Sequence, residues 1–193
     1  MNGMVALFYR TARGAGVSEA QIFMKNHLVL PGFFRATKKW DLLIVREPTR
    51  GPKELVALVE AKGIASSFGN NLNNRTEEAI GSAYDFRRAI EVGRIKIAPS
   101  FWRGYLLLMA DVKDSRDEVR VLEPHFKVDP ALEHKSYLQR GKELCRRVVT
   151  DGLYNGSAFI AAKPESPGAY REPDQDLTML HLLRGLASAC QPA

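Results

Sequence analysis

The sequence predicts an α/β fold in which a mixed central sheet is flanked by helices. Three observations lead there. Apolar runs short enough for buried strands occur at "WDLLIV" (40–45), "LVALVEA" (55–61), "GYLLLMAD" (104–111) and "SAFIAA" (157–162). Segments with apolar residues at helical spacing lie between them and at both ends. Connectors rich in glycine and proline punctuate the two. Strands alternating with helices give a sheet covered on both faces.

Taken in order, residues 3 to 12 read as a short helix ending in Gly14 and Gly16. "AQIFMKN" (20–26) reads as a strand and "PGFF" (31–34) as a turn. The strands 40–45 and 55–61 are joined by "REPTRGPKE", and read as a hairpin with a long loop. Over "NRTEEAIGSAYDFRRAIEVG" (74–93), Asn74 is placed to cap a helix and Glu77 sits three residues on, as in a capping box. Ala79, Ile80, Ala83, Phe86, Ala89 and Ile90 form its apolar stripe, and Gly93 closes it. Strand 104–111 follows. Residues 136 to 150 form a basic amphipathic helix, 157–162 a strand and 177–189 a final helix, with the proline-rich loop 163–176 between the last two.

The chain of 193 residues suits one domain. Within it, 1–111 reads as a core and 112–193 as an additional helix–strand–helix packed on it. Apolar content of 45% and charged content of 26% exclude a disordered chain. A net charge of +6 favours an anionic partner, nucleic acid before a membrane surface. Two distant cysteines, Cys145 and Cys190, make neither a disulfide framework nor a zinc site, so a reducing cytoplasm is the expected context. No run suggests a secretory leader or a membrane span.

The polar end of the second buried strand bears on function. Glu60 and Lys62 follow five apolar residues without a break and share one face of the strand. Reflecting the hairpin through the centre of its loop puts Asp41 opposite Glu60. Like charges so placed repel unless one is protonated or a cation lies between them. A hard divalent cation such as Mg²⁺ takes such oxygen ligands and keeps waters and a substrate phosphate in its other positions. With Lys62 beside it, the pair has the parts that phosphodiester hydrolysis requires. The plainer alternative is that Asp41 satisfies backbone donors at a strand start, while Glu60 and Lys62 form a solvated pair.

The spacing D-(x)18-E-A-K on a hairpin resembles the signature of the PD-(D/E)xK nuclease superfamily, with Trp40 in place of the literal proline. Its core order of helix, three strands, helix, strand matches the reading of residues 3 to 110. The stretches "LVLPGFFRATKKWDLLIV" (28–45), "VEAKGIASSFGNNLNNRTEEAIGSAYDF" (59–86), "WRGYLLLMAD" (102–111), "EPHFKV" (123–128) and "SYLQRGKELCRR" (136–147) are similar to XhoI-type restriction endonucleases. The resemblance implies a restriction-endonuclease-like core and a Mg²⁺-dependent type II endonuclease. It implies cleavage of double-stranded DNA by a homodimer at a short palindrome, CTCGAG-like if the family specificity is retained. A cognate methyltransferase encoded nearby would be its partner. Asp41 and Glu60 carry over as metal ligands, the Ala61 carbonyl as a further ligand, and Lys62 as the group that positions or activates the attacking water.

The loop expected at 66–75 follows the catalytic strand, and Ser66, Asn70, Asn71, Asn73, Asn74 and Arg75 are its candidate DNA contacts. Glu78, beside Glu77, is a candidate additional acidic ligand, although acids in a first helical turn also complement the helix dipole. Basic clusters at Arg35, Lys38 and Lys39, at Arg87, Arg88, Arg94 and Lys96, and at Arg140, Lys142, Arg146 and Arg147 could track phosphates or simply face solvent. Two rivals remain at this stage: a repair nuclease of the same fold, and a DNA-binding module without catalysis.

Overall fold

The structure, a computed structural model, describes residues 2–24, 29–123 and 125–191. Helix α1 (Asn2–Gly14) leads through a 3-10 turn (Glu19–Gln21) into strand β1 (Ile22–Met24). That strand is shorter than the expected 20–26, of which residues 25 and 26 lie outside the described residues. A small hairpin, β2 (Val29–Pro31) and β3 (Thr37–Lys39), stands where only a turn was expected. Strands β4 (Leu42–Arg46) and β5 (Glu54–Ile64) come next, then helix α2 (Phe68–Glu91) and strand β6 (Ile97–Ala110). The short helix α3 (Lys113–Arg116), α4 (Tyr137–Thr150), β7 (Gly156–Ala162), β8 (Tyr170–Arg171) and α5 (Met179–Ala189) complete the chain.

Six strands form one sheet in the order β1-β4-β5-β6-β7-β8. Pairing is antiparallel at β1/β4, β4/β5 and β7/β8, and parallel at β5/β6 and β6/β7. The expected mixed sheet with flanking helices is therefore present. Leu55 through Ala61 are all buried, because β5 sits in the middle of the sheet with helices over both faces. Val59 and Ala61 pack in the cluster that holds Phe8 of α1 and Leu186 of α5. Leu58 packs in the cluster with Trp40 and Phe86, and Ile64 in that with Phe68 and Ala79. The two-residue period thus turns Glu60 and Lys62 toward α2.

Helix α2 departs from the sequence reading. Its N-cap is Ser67, in the left-handed region at φ 47°, rather than Asn74. Residues 68–75 are helical because Phe68 and Leu72, four apart, bury themselves in the cluster that also holds Ala79. Tertiary burial outweighs the weak helix preference of the asparagines. Ile80, expected in the apolar stripe, is 47% exposed, whereas Ser82 and Asp85 are buried. The C-terminus closes as expected: Gly93, at φ +77°, donates its N–H to the Ile90 carbonyl, and Arg94 donates to that of Ala89, a Schellman pattern.

Candidate active site

The carboxylates at 41 and 60 meet through the β4–β5 hairpin. Leu42 pairs with Val59, and continuing that register sets Asp41 opposite Glu60. The loop is one residue shorter than expected, and a bulge between Ile44 and Val45 shifts the register by one. The two differences cancel. Asp41 lies just before β4 and donates its N–H to the Val59 carbonyl at 3.1 Å. Its Oδ2 accepts the Ala61 N–H at 2.8 Å. Asp41 therefore does satisfy a backbone donor at a strand start, as the plainer reading held, while facing the same site. Burial raises its pKa, the Ala61 N–H and the Lys62 ammonium oppose that rise, and the Glu60 charge adds to it.

Glu60 is 1% exposed and its charge is fully matched. Oε1 accepts from Lys38 Nζ at 2.8 Å and lies 3.2 Å from Lys62 Nζ; Oε2 accepts the Tyr154 hydroxyl at 2.6 Å. The cations beside the carboxylate pair are thus lysine ammoniums. Lys62 also reaches Glu78 Oε2 at 3.0 Å. Burial pulls the Lys62 pKa down, but Glu60 and Glu78 outweigh it and the net shift is upward. Glu78 is drawn low by Lys62 and Arg75 against the opposing effect of burial.

Lys38 reaches the site from β3. Its ammonium lies 4.6 Å from the Trp40 ring centroid. The hairpin that carries it is anchored to α2 by buried Asp85, which accepts the Phe33 and Phe34 N–H groups at 2.9 and 2.6 Å and Arg35 Nε at 3.0 Å. A side chain at Gly32 has no room, since a Cβ there would sit 2.5 Å from Asp85 Oδ2. Arg94, just past the end of α2, donates to the Gly32 carbonyl.

The remaining candidates separate. Ser66 is exposed in the link between β5 and α2, and its carbonyl accepts Asn71 Nδ2 at 2.7 Å. Asn70, Asn73 and Asn74 are exposed along the first two turns of α2. Arg75 turns inward to Glu78 at 2.7 Å, and its Nε is buried without a partner. Of the basic clusters, Arg35 serves Asp85, and Arg146 and Arg147 pair with Asp174, Glu143 and Asp129. Arg140 donates to the Leu132 and Val119 carbonyls. Lys38 and Tyr154 are the residues whose contacts with the site the sequence did not give. The Tyr154 pKa is raised well above the usual phenol value, mainly by burial and then by the Glu60 charge.

Asp41 and Glu60 bring carboxylate oxygens to one site, a donor chemistry that suits a hard cation keeping several waters. Among the described residues no cluster of three or more His, Cys, Asp or Glu side chains is placed to hold a metal. Glu78 is separated from Glu60 by Lys62, which bonds both.

Residues 1–171 match the model of the restriction endonuclease XhoI family. The chain belongs to that family. Type II restriction enzyme BstVI of Geobacillus stearothermophilus is 39% identical over 189 residues, 96% of this chain and 84% of that protein. Type II restriction enzyme XhoI of Xanthomonas vasicola is 40% identical over 156 residues, 79% of this chain and 61% of that one. Type II restriction enzyme AbrI of Azospirillum brasilense is 41% identical over 129 residues, 66% of this chain and 56% of its own. The chain thus spans less than two thirds of the XhoI and AbrI enzymes. No solved structure matches it. By family it is a restriction-like DNA endonuclease. No helix among the described residues is long and apolar enough to cross a membrane.

Proposed function

We propose that this chain is a Mg²⁺-dependent type II endonuclease that cuts both strands of duplex DNA at a short palindrome, CTCGAG-like, as a homodimer. The observation that carries this reading is the convergence of Asp41, Glu60 and Lys62 at the end of the β4–β5 hairpin, with Ala61 bonded to Asp41. Asp41, Glu60 and the Ala61 carbonyl would hold Mg²⁺, which supplies charge stabilisation on the phosphate and acidifies water. Lys62, already charged and tied to Glu60, orients the attacking water and adds positive charge beside the phosphate. We take Asn70, Asn73 and Asn74, exposed on the helix that leaves this strand, as DNA contacts, with Ser66 and Asn71 beside them. Arg75 serves mainly to hold Glu78.

We assign 1–193 to a single nuclease domain acting in the cytoplasm, with 1–111 as its catalytic core and 112–193 packed on it. A methyltransferase that protects the same site is the expected genetic neighbour. Incubation of the protein with plasmid and Mg²⁺ tests the reading. Discrete fragments support it; preference for branched or damaged duplex points instead to repair, and a mobility shift without cutting to a binding module.

A further inference from the structure

The geometry points to Tyr154 as a positioning residue that fixes the Glu60 carboxylate for a divalent cation. The inference rests on the metal site proposed above. A phenol has one proton to donate. Here two acceptors compete for it, Glu60 Oε2 at 2.6 Å and the Ala79 carbonyl at 3.3 Å, and the proton goes to the nearer, charged one. The ring itself cannot swing away. It is buried, lies 5.1 Å from the Tyr105 ring centroid, and has the Arg103 guanidinium 5.0 Å from its own. Its backbone is held too: the Tyr154 N–H bonds to the Val148 carbonyl at 2.9 Å as the chain leaves α4 through Gly152, at φ +67°.

The two oxygens of Glu60 therefore differ. Oε2 is bonded to a rigid, buried hydroxyl. Oε1 is shared by two ammoniums on flexible stems, Lys38 and Lys62. A cation at this site would compete with the two ammoniums rather than with the buried Tyr154 hydroxyl. Oε1 would thus be the oxygen open to a cation, with Tyr154 holding the plane of the carboxylate. Partners of this kind orient a ligand and tune its basicity. Tyr154 lies 94 residues beyond Glu60, so the region after the hairpin takes part in the site.

The test is Mn²⁺ binding to the full chain by isothermal titration calorimetry, with thermal unfolding in EDTA fixing a temperature at which every variant is folded. Wild type binds Mn²⁺, Glu60→Gln does not, and Tyr154→Phe binds about 10–100-fold more weakly than wild type. In cleavage, Tyr154→Phe lowers kcat and leaves KM for duplex unchanged. A fluorinated tyrosine placed at 154 keeps ring and hydroxyl and alters the strength of the bond. It must also shift Mn²⁺ affinity, and it decides the matter if Tyr154→Phe does not fold. Folded variants at 154 with wild-type Mn²⁺ affinity, while Glu60→Gln abolishes binding, reduce Tyr154 to a structural residue. If Glu60→Gln binds Mn²⁺ as wild type does, or wild type binds none, the metal-site reading itself fails and the role of Tyr154 goes with it.

Discussion

Replacing Lys38 by Met isolates the charge that neutralises Glu60. Methionine keeps an unbranched apolar side chain and removes the ammonium, with its ion pair to Glu60 and its contact over the Trp40 ring. The bond lost is charged, 2.8 Å long, and joins side chains 13% and 1% exposed. Hydrogen bonds to charged groups contribute about 1.5–3 kcal/mol. Glu60 keeps Lys62 at 3.2 Å and Tyr154 at 2.6 Å, so the loss belongs in the lower half of that range, about 2 kcal/mol. For a chain of this size that lowers Tm by about 4–8 °C. The loss is measured by calorimetric unfolding in EDTA. Mg²⁺ supplies the missing positive charge, so it raises the Tm of Lys38→Met more than that of wild type and closes much of the gap. An unchanged Tm in EDTA, or equal Mg²⁺ shifts in both proteins, would refute the reasoning.

Other outcomes follow from the same geometry. Burial raises the Asp41 pKa, so its contribution to stability is full below the ordinary aspartate value and is lost as pH rises through the raised one. Asp41→Asn keeps an acceptor for the Ala61 N–H. It should exceed wild type in Tm at neutral pH without metal, and the advantage should vanish in acid; an advantage independent of pH counts against the assignment. Affinity for duplex should fall with salt at a log–log slope of about −0.9 per phosphate contacted, measured by fluorescence anisotropy. A flat response removes the electrostatic argument. Sedimentation with cognate duplex should give two chains per duplex, the isologous arrangement a palindrome requires; one chain that nicks one strand argues against a palindromic site.

The hairpin was legible because the short apolar run "LVALV" is bounded by the turn-rich "REPTRGPKE", and its two charges follow at once. The pairing of Asp41 with Glu60 was legible only because a shorter loop and a bulge offset each other. What sequence missed depends on contacts made at a distance. The start of α2 at Ser67 follows from burial of Phe68 and Leu72 against other elements, which an asparagine-rich string conceals. Lys38 and Tyr154 come to Glu60 from 22 and 94 residues away; Lys38 stands in a basic cluster that points no more to Glu60 than to phosphate or solvent, and Tyr154 lies in no pattern that marks it. Lys38 and Tyr154, with Lys62, also set what neutralising Glu60 does. Facing Asp41 alone, Glu60 would be a like-charge liability, and neutralising it would relieve the fold. With two ammoniums and a phenol directed at it, Glu60→Gln should instead destabilise the metal-free protein.

Cleavage of plasmid DNA by wild type and Glu60→Gln, each folded and each compared in Mg²⁺ and in EDTA, tests the proposed active site most directly. Wild type should give discrete fragments in Mg²⁺ and none in EDTA. Glu60→Gln should still shift duplex in a mobility assay while cutting at least about 10²-fold more slowly. A folded Glu60→Gln that cuts at the wild-type rate would contradict the account, because Glu60 would then be no more than a buried partner of Lys38, Lys62 and Tyr154.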